Sequence, residues 1–204
     1  MSTTSAPIET LSIPIDGLVE AQIRLGFGGG ELTLGKADPA TLVSGSFEGG
    51  VIQKSSGPGR IALEPSQPGR PLVTWAPTHW DVLVTGEIPV DLRLDTGANR
   101  SMVDLTALHI RRLELHTGAS ESTIRLPATG RTAVRIDCGF ASVHAEVPQG
   151  VAARIRGKMG LGAIEVDETR FPRGTDGWAS ADFETASNRV DISIDGGFGA
   201  VRVR

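Results

Sequence analysis

The residues with the clearest chemical potential stand in the short segment Asp95-Thr96-Gly97-Ala98. An aspartate at the start of a glycine turn can form one half of a carboxylate pair when a second copy of the chain supplies the other half. Two carboxyl groups in close contact do not both ionise, so one stays protonated while the other activates a water molecule. Peptide hydrolysis by a dimer is therefore one hypothesis for this chain.

A resemblance and a repeat bear on this hypothesis in opposite directions. The segment Asp95-Thr96-Gly97 resembles the active-site turn of retroviral-type aspartic proteases. The next two units of the chain, however, read His116-Thr117-Gly118-Ala119 and Asp137-Cys138-Gly139-Phe140 at the same place. A motif that recurs with its aspartate replaced is better explained as a structural turn. An aspartic protease dimer is therefore only the third hypothesis.

The other reactive groups form no recognisable centre in the sequence. No two of the four histidines stand at metal-ligand spacing, and a single cysteine, Cys138, does not supply the common structural zinc patterns. The glycine cluster 26–30 lacks the Lys-Ser or Lys-Thr pair and the helix of a phosphate-binding loop. We expect no catalytic residue, no metal and no cofactor, and we expect Cys138 to be a small buried residue.

A glycine repeat organises the chain. Gly97, Gly118, Gly139 and Gly160 follow one another at intervals of 21 residues, and further units centre on Gly28 and Gly197. Five residues before each glycine stands an apolar residue: Ile23, Leu92, Leu113, Val134, Ile155 and Ile192. One unit of strand, bend and strand cannot bury its apolar face alone, but a stack of units can. The repeat predicts an all-β, single-stranded β-solenoid-like stack of rungs; a β-sandwich with regular hairpins is the structural alternative.

Equivalent positions of the repeat units form columns, and two further columns indicate which residues face the core and which face solvent. The residues that follow each glycine vary in size and are expected to face inward: Gly29, Ala98, Ala119, Phe140, Leu161 and Phe198. The residues two positions before each glycine are mostly charged: Asp95, His116, Asp137, Lys158 and Asp195. Their signs alternate along the chain when the histidine is protonated. We predict a solvent-facing charge ladder that helps to set the register of the rungs.

Several segments resemble known bacterial β-domains. Leu115–Ser120, Pro148–Ala152 and Ala186–Ile192 look like the C-terminal domain of LiaF-type proteins, and Gly28–Leu32 resembles the toast-rack β-domain that precedes it. The resemblance implies a β-solenoid-like fold. The best-understood relatives restrain a membrane histidine kinase in the response to cell-envelope stress, and many others are uncharacterised bacterial proteins. The family offers no catalytic residues to carry over.

The resemblance and the repeat together give a domain plan. Residues 1–10 are expected to be a disordered N-terminus, 11–87 an N-terminal toast-rack-like β region, and 88–204 a LiaF-like β-solenoid region, the last two forming one continuous domain. An inserted loop lies between Gly160 and Gly197. It contains Phe171, Pro172, Arg173 and Trp178. This loop either caps an open end of the stack, the interpretation that we favour, or presents an interaction surface.

Composition narrows the function classes. A net charge of −4 provides no excess of positive charge of the kind that binds nucleic acid. No apolar run is long enough to span a bilayer, and residues 1–9 do not look like a secretory signal, so we expect a cytoplasmic protein that associates with a membrane only through a partner. The sequence favours a non-enzymatic protein-interaction module, a bacterial regulatory or envelope-stress accessory protein that binds a sensor kinase, an envelope protein or itself. A self-assembling structural solenoid is the second hypothesis.

Overall fold

The computed structural model describes residues 7–66 and 78–204, and in these ranges it contains strands and no helix. No helix that could cross a membrane is therefore found in the described part of the chain. The thirteen strands belong to one sheet. Their bounds are β1 Ile8–Pro14, β2 Ala21–Lys36, β3 Thr41–Glu48, β4 Val51–Ser55, β5 Arg60–Pro65, β6 Thr78–Val84, β7 Val90–Asp104, β8 Ile110–Arg125, β9 Arg131–Glu146, β10 Ala152–Val166, β11 Arg173–Gly174, β12 Gly177–Ala179 and β13 Arg189–Val203.

Six long parallel strands form the body of the molecule. In space they run in the order β2, β7, β8, β9, β13, β10, and each is 15 or 16 residues long. The register places equivalent repeat positions side by side, so Leu92 lies opposite Leu113 and Leu113 opposite Val134. These leucine and valine side chains are buried. The prediction of an all-β, solenoid-like stack is confirmed.

Each long strand bends at its repeat glycine, and the bend changes which residues face the core. In β7 the buried positions before the bend include Leu92 and Leu94, whereas after the bend they include Ser101 and Val103. The alternation of buried and exposed residues therefore shifts by one position, and two consecutive residues at the bend point away from the core. Both arms of the strand consequently face the same narrow core.

The order of the strands in space departs from their order in the chain. Strand β13 pairs with both β9 and β10, so the last long strand fills the place between two earlier ones. The repeat predicts that successive units stack on each other, and at this end that expectation is wrong. The physical reason is that all units present the same apolar columns, so the columns do not encode which unit lies beside which. The long connection 167–188 between β10 and β13 allows the chain to return.

The amino-terminal end of the stack is built differently from the rungs. Here β3 pairs antiparallel with β1 and β6, and β4 forms an antiparallel pair with β5. Trp80 fills this end, with its ring 5.3 Å from that of Phe27 and 4.9 Å from that of Phe47. Residues 8–10, expected to be disordered, form the start of β1. Residues 1–6 lie outside the described residues.

Candidate functional site

An exposed aromatic ridge follows the outside of the bends. We call Phe140, Phe198 and Leu161 the corner ridge; they lie on β9, β13 and β10, and the register places Phe198 beside both of the others. Their exposed fractions are 63%, 47% and 70%. The two phenylalanine rings are stacked, with centroids 4.7 Å apart and planes within 3° of each other. Three large apolar side chains therefore form one patch on the surface.

The corner ridge corrects an expectation from the sequence. The residues that follow each repeat glycine were expected to face inward, but Phe140 and its equivalents face solvent. The reason is the shift in alternation at the bend, which turns the glycine and the next residue outward together. In the earlier rungs the same position holds only Gly29, Ala98 and Ala119. The large side chains are thus confined to the carboxyl-terminal half of the stack.

An open groove runs beside the corner ridge. Its floor includes the repeat glycines Gly118, Gly139 and Gly197, and the depression is shallow and open to solvent. The charged residues along it are Asp95, His116, Arg135, Asp137 and Asp195. We call this depression the corner groove. Three of these five residues are aspartates, and the groove residues Gly139 and Gly197 directly precede Phe140 and Phe198 of the ridge.

The predicted charge ladder lies in register along this groove, but in a different order from that of the sequence. In space it reads Asp95, His116, Asp137, Asp195, Lys158. Because β13 lies between β9 and β10, two aspartates are neighbours and the expected alternation of sign is broken there. The Nδ1 of His116 lies 3.2 Å from Asp137, and the Nζ of Lys158 lies 3.3 Å from Asp195. Arg135 also donates to Asp137 from 2.8 Å.

Asp95, the residue of the protease-like segment, is held by two arginines. The Nε of Arg24 lies 2.5 Å from its carboxylate, and the Nε of Arg93 lies 3.0 Å from it. Burial raises the pKa of this carboxyl group, but the hydrogen bonds from Arg93 and Arg24 outweigh burial, and the pKa lies below its ordinary value. A proton-sharing carboxylate pair needs one raised pKa, so this environment differs from that of a catalytic dyad. The next residue, Thr96, is buried, and its hydroxyl group donates a hydrogen bond to the hydroxyl group of Thr117.

The inserted loop lies against the edge of the stack. Strand β12 pairs with Arg154 and Ile155 of β10, and the amide of Ser180 donates to the carbonyl of Ala153. Phe171 is only 1% exposed, so it belongs to the core and is not available as an interaction surface. The predicted interaction surface of the loop also contains Pro172 and Arg173, which are exposed, and Trp178, which is half-buried. The guanidinium of Arg173 lies 5.1 Å from the ring of Trp178.

The structure places no metal-binding cluster in the part of the chain that it describes: no three His, Cys, Asp or Glu side chains there converge on one point. Cys138 is buried under the groove floor. Burial, together with the negative charges of Asp137 and Asp195, raises the pKa of its thiol. The thiol is therefore held in its less reactive, protonated form.

Comparison with known proteins gives a family and a fold. The model of the N-terminal domain of toast_rack (DUF2154) matches residues 2–146. A solved structure of a candidate cell adhesion protein from Clostridium sporogenes superposes with a TM-score of 0.84 at 16% identity, over 97% of this chain and 98% of that one. A candidate adhesin from Bacteroides fragilis gives a TM-score of 0.41 at 7% identity, with 98% of both chains covered. No curated protein sequence matches the chain.

Proposed function

Because the chain belongs to the toast-rack family, we propose that it is a non-enzymatic protein-interaction module whose docking site is the corner ridge and the corner groove beside it. The observation that carries the proposal is the exposed stack of Phe140 on Phe198. Contiguous exposed apolar side chains bordered by polar residues mark interaction sites, and aromatic residues dominate the energetics of such sites. The ionised, arginine-held state of Asp95 supports a binding role over a hydrolytic one.

The chemistry of the site indicates the kind of partner. The ridge offers apolar contact, and the groove offers the carboxylates of Asp137 and Asp195. A protein segment in which apolar side chains alternate with lysine or arginine would satisfy both surfaces at once. A candidate cell adhesion protein from Clostridium sporogenes shares this fold, which supports a role in interaction. In a bacterial cell, such a module would act as a regulatory or envelope-stress accessory protein, with a sensor kinase or an envelope protein as its partner.

A site-directed crosslink tests this proposal. A photoreactive amino acid is placed at Phe140, and a matched control carries it at Met102, which is also exposed but lies outside the ridge. We expect crosslinks from position 140, but not from position 102, to a different protein of the native cell. Adding Asp137→Lys to the first variant should reduce the yield, because it removes a negative charge from the groove. Equal yields at the two positions would contradict the proposal.

A further inference from the structure

The core of the stack is polar in one place, on the inner side of the bends of β7 and β8. Five of the seven buried polar residues in the described part of the chain lie there: Thr96, Asn99, Ser101, Thr117 and Ser122. Each of the five is at most 9% exposed. Ser120, a half-buried residue of β8, faces the same way at the bend. We call these six side chains the polar compartment.

Apolar side chains enclose the polar compartment along the stack. Its neighbours in the register of the sheet are all buried and apolar: Phe27 and Leu32 on β2, and Cys138 and Val143 on β9. The polar character is therefore confined to two adjacent rungs. Polar groups in such surroundings are shielded from solvent and must find their hydrogen-bond partners close by.

The hydroxyl groups of the polar compartment bond one another and leave one proton over. Thr96 donates to Thr117 at 2.9 Å, and Thr117 donates in turn to Ser120. Ser101 donates to Ser122 at 2.8 Å. Ser120 and Ser122 lie 3.4 Å apart, and one of them donates to the other. Five hydroxyl groups thus make four bonds among themselves, and the fifth proton, on Ser120 or Ser122, has no acceptor in the group.

Asn99 has no partner within the polar compartment. Neither its Nδ2 nor its Oδ1 forms a hydrogen bond with the residues that the structure describes, although both atoms are buried. The register places Asn99 between Ser120 of β8 and Gly30 of β2, so one of its two neighbours has no side chain. A side-chain amide offers two donors and an acceptor, and burying it without partners is destabilising. The amide therefore points to a small molecule that completes its hydrogen bonds.

We propose that the polar compartment is a binding site for internal water, held by the amide of Asn99 and the hydroxyl groups beside it. The ligand must accept from Nδ2 and from the remaining hydroxyl proton, and it must donate to Oδ1. A metal cation does not accept from an N–H group, and a simple anion does not donate to a carbonyl oxygen, whereas water does both. This inference goes beyond the proposed function, since it concerns the interior of the stack.

The polar compartment lies next to the surface. Its residues Thr96 and Thr117 also line the corner groove. Water bound at Asn99 therefore has a short route to solvent, and it is expected to exchange without unfolding of the chain.

A high-resolution crystal structure of the full chain tests the site directly. We expect a water molecule about 3 Å from Nδ2 or Oδ1 of Asn99 and from a second polar atom of the compartment. An amide bonded only to protein groups, with no density beside it, would overturn the inference. Crystals soaked in rubidium chloride distinguish the kind of ligand, because an anomalous peak at Asn99 would show a cation there and would also overturn it.

Magnetic relaxation dispersion of water oxygen nuclei counts long-lived internal water in solution. We expect Asn99→Leu to lower the count by at least one, because leucine has a similar volume and needs no hydrogen bond. Asn188→Leu is the matched control and should leave the count unchanged: Asn188 is the only other asparagine of the chain, and its Oδ1 already accepts from the amide of Gly130 at 2.9 Å. Equal counts for the wild type and Asn99→Leu would contradict the inference. If Asn99→Leu does not fold, the wild-type crystal structure decides alone.

Discussion

At the scale of single residues, the repeat glycines determine how closely neighbouring rungs approach. A Cβ atom on Gly197 would lie 2.8 Å from the carbonyl oxygen of Gly139, closer than real Cβ atoms come to such an atom. A Cβ atom on Gly28, at the equivalent position of β2, would have no atom within 4 Å. The same column therefore contains one position that needs glycine for space and one that does not.

This contrast predicts opposite outcomes for the same substitution. Gly197→Ala should lower the free energy of unfolding by about 1–3 kcal/mol, because the backbones of two rungs must separate. Gly28→Ala should change it little or raise it slightly, because alanine restricts the unfolded chain. Urea denaturation of both variants measures the difference. Identical midpoints would show that the rungs are not in contact at the glycine column.

Asp95 gives a prediction about pH. Its pKa is lower in the folded protein than in the unfolded chain, so its stabilising effect is complete at neutral pH and is lost as the pH falls through the folded value. Asp95→Asn should therefore reduce the free energy of unfolding by about 1 kcal/mol at pH 7 and by almost nothing near pH 2. Denaturation at a series of pH values tests this. A constant difference over the whole range would rule out the ionised carboxylate as its cause.

At the scale of elements, the charge ladder stabilises some rung contacts and weakens others. Asp137 and Asp195 repel each other, whereas Lys158 attracts Asp195. Lys158→Asp would place three carboxylates in a row and should lower the melting temperature more than Lys158→Ala does. The excess should disappear in 1 M salt, where the Debye length is about 3 Å. Equal melting temperatures of the two variants at low salt would remove any role of the ladder in register.

The inserted loop is attached to the stack by a core residue, which allows its proposed capping role to be tested. Phe171→Ala should lower the free energy of unfolding by about 3 kcal/mol. It should also speed amide hydrogen exchange at Ser180, whose N–H bonds the edge of β10. Pro172→Ala, a change to the exposed neighbouring residue, is the control and should have little effect. If Phe171→Ala left exchange at Ser180 unchanged, the loop would be held in place by other contacts.

At the scale of the whole molecule, the sequence predicts the single rung. It predicts neither the order of the rungs in the sheet nor the antiparallel strands at the amino-terminal end. The column that contains Leu113 and Val134 is visible as a repeat in the sequence, because each rung must bury an apolar side chain at that position. The position of β13 is not visible, since identical columns fit several neighbours equally well. The outward direction of Phe140 does not follow from the sequence, because strict alternation places this side chain inward and the bend shifts the alternation by one residue. The antiparallel strands around Trp80 have no period, so the repeat carried no information about them.

The two proposed regions, 11–87 and 88–204, are joined by strand pairing from Ala21–Val90 to Leu34–Val103. This contact runs along the full length of β7, so we expect the regions to unfold together. Calorimetry should show a single transition whose calorimetric and van't Hoff enthalpies agree. Two separate transitions would show that the regions are independent domains.

The insertion of β13 between β9 and β10 has a consequence for how the protein is made. Strands β2, β7, β8 and β9 can join the sheet in the order in which the ribosome releases them. Strand β10 leaves the ribosome before its neighbour β13 does, and until β13 follows, β10 has no long strand to pair with at its final position. During that interval both β9 and β10 expose strand edges that the finished protein hides. Protein synthesis therefore passes through a vulnerable interval in which a chaperone, or a neighbouring nascent chain, can occupy that place first.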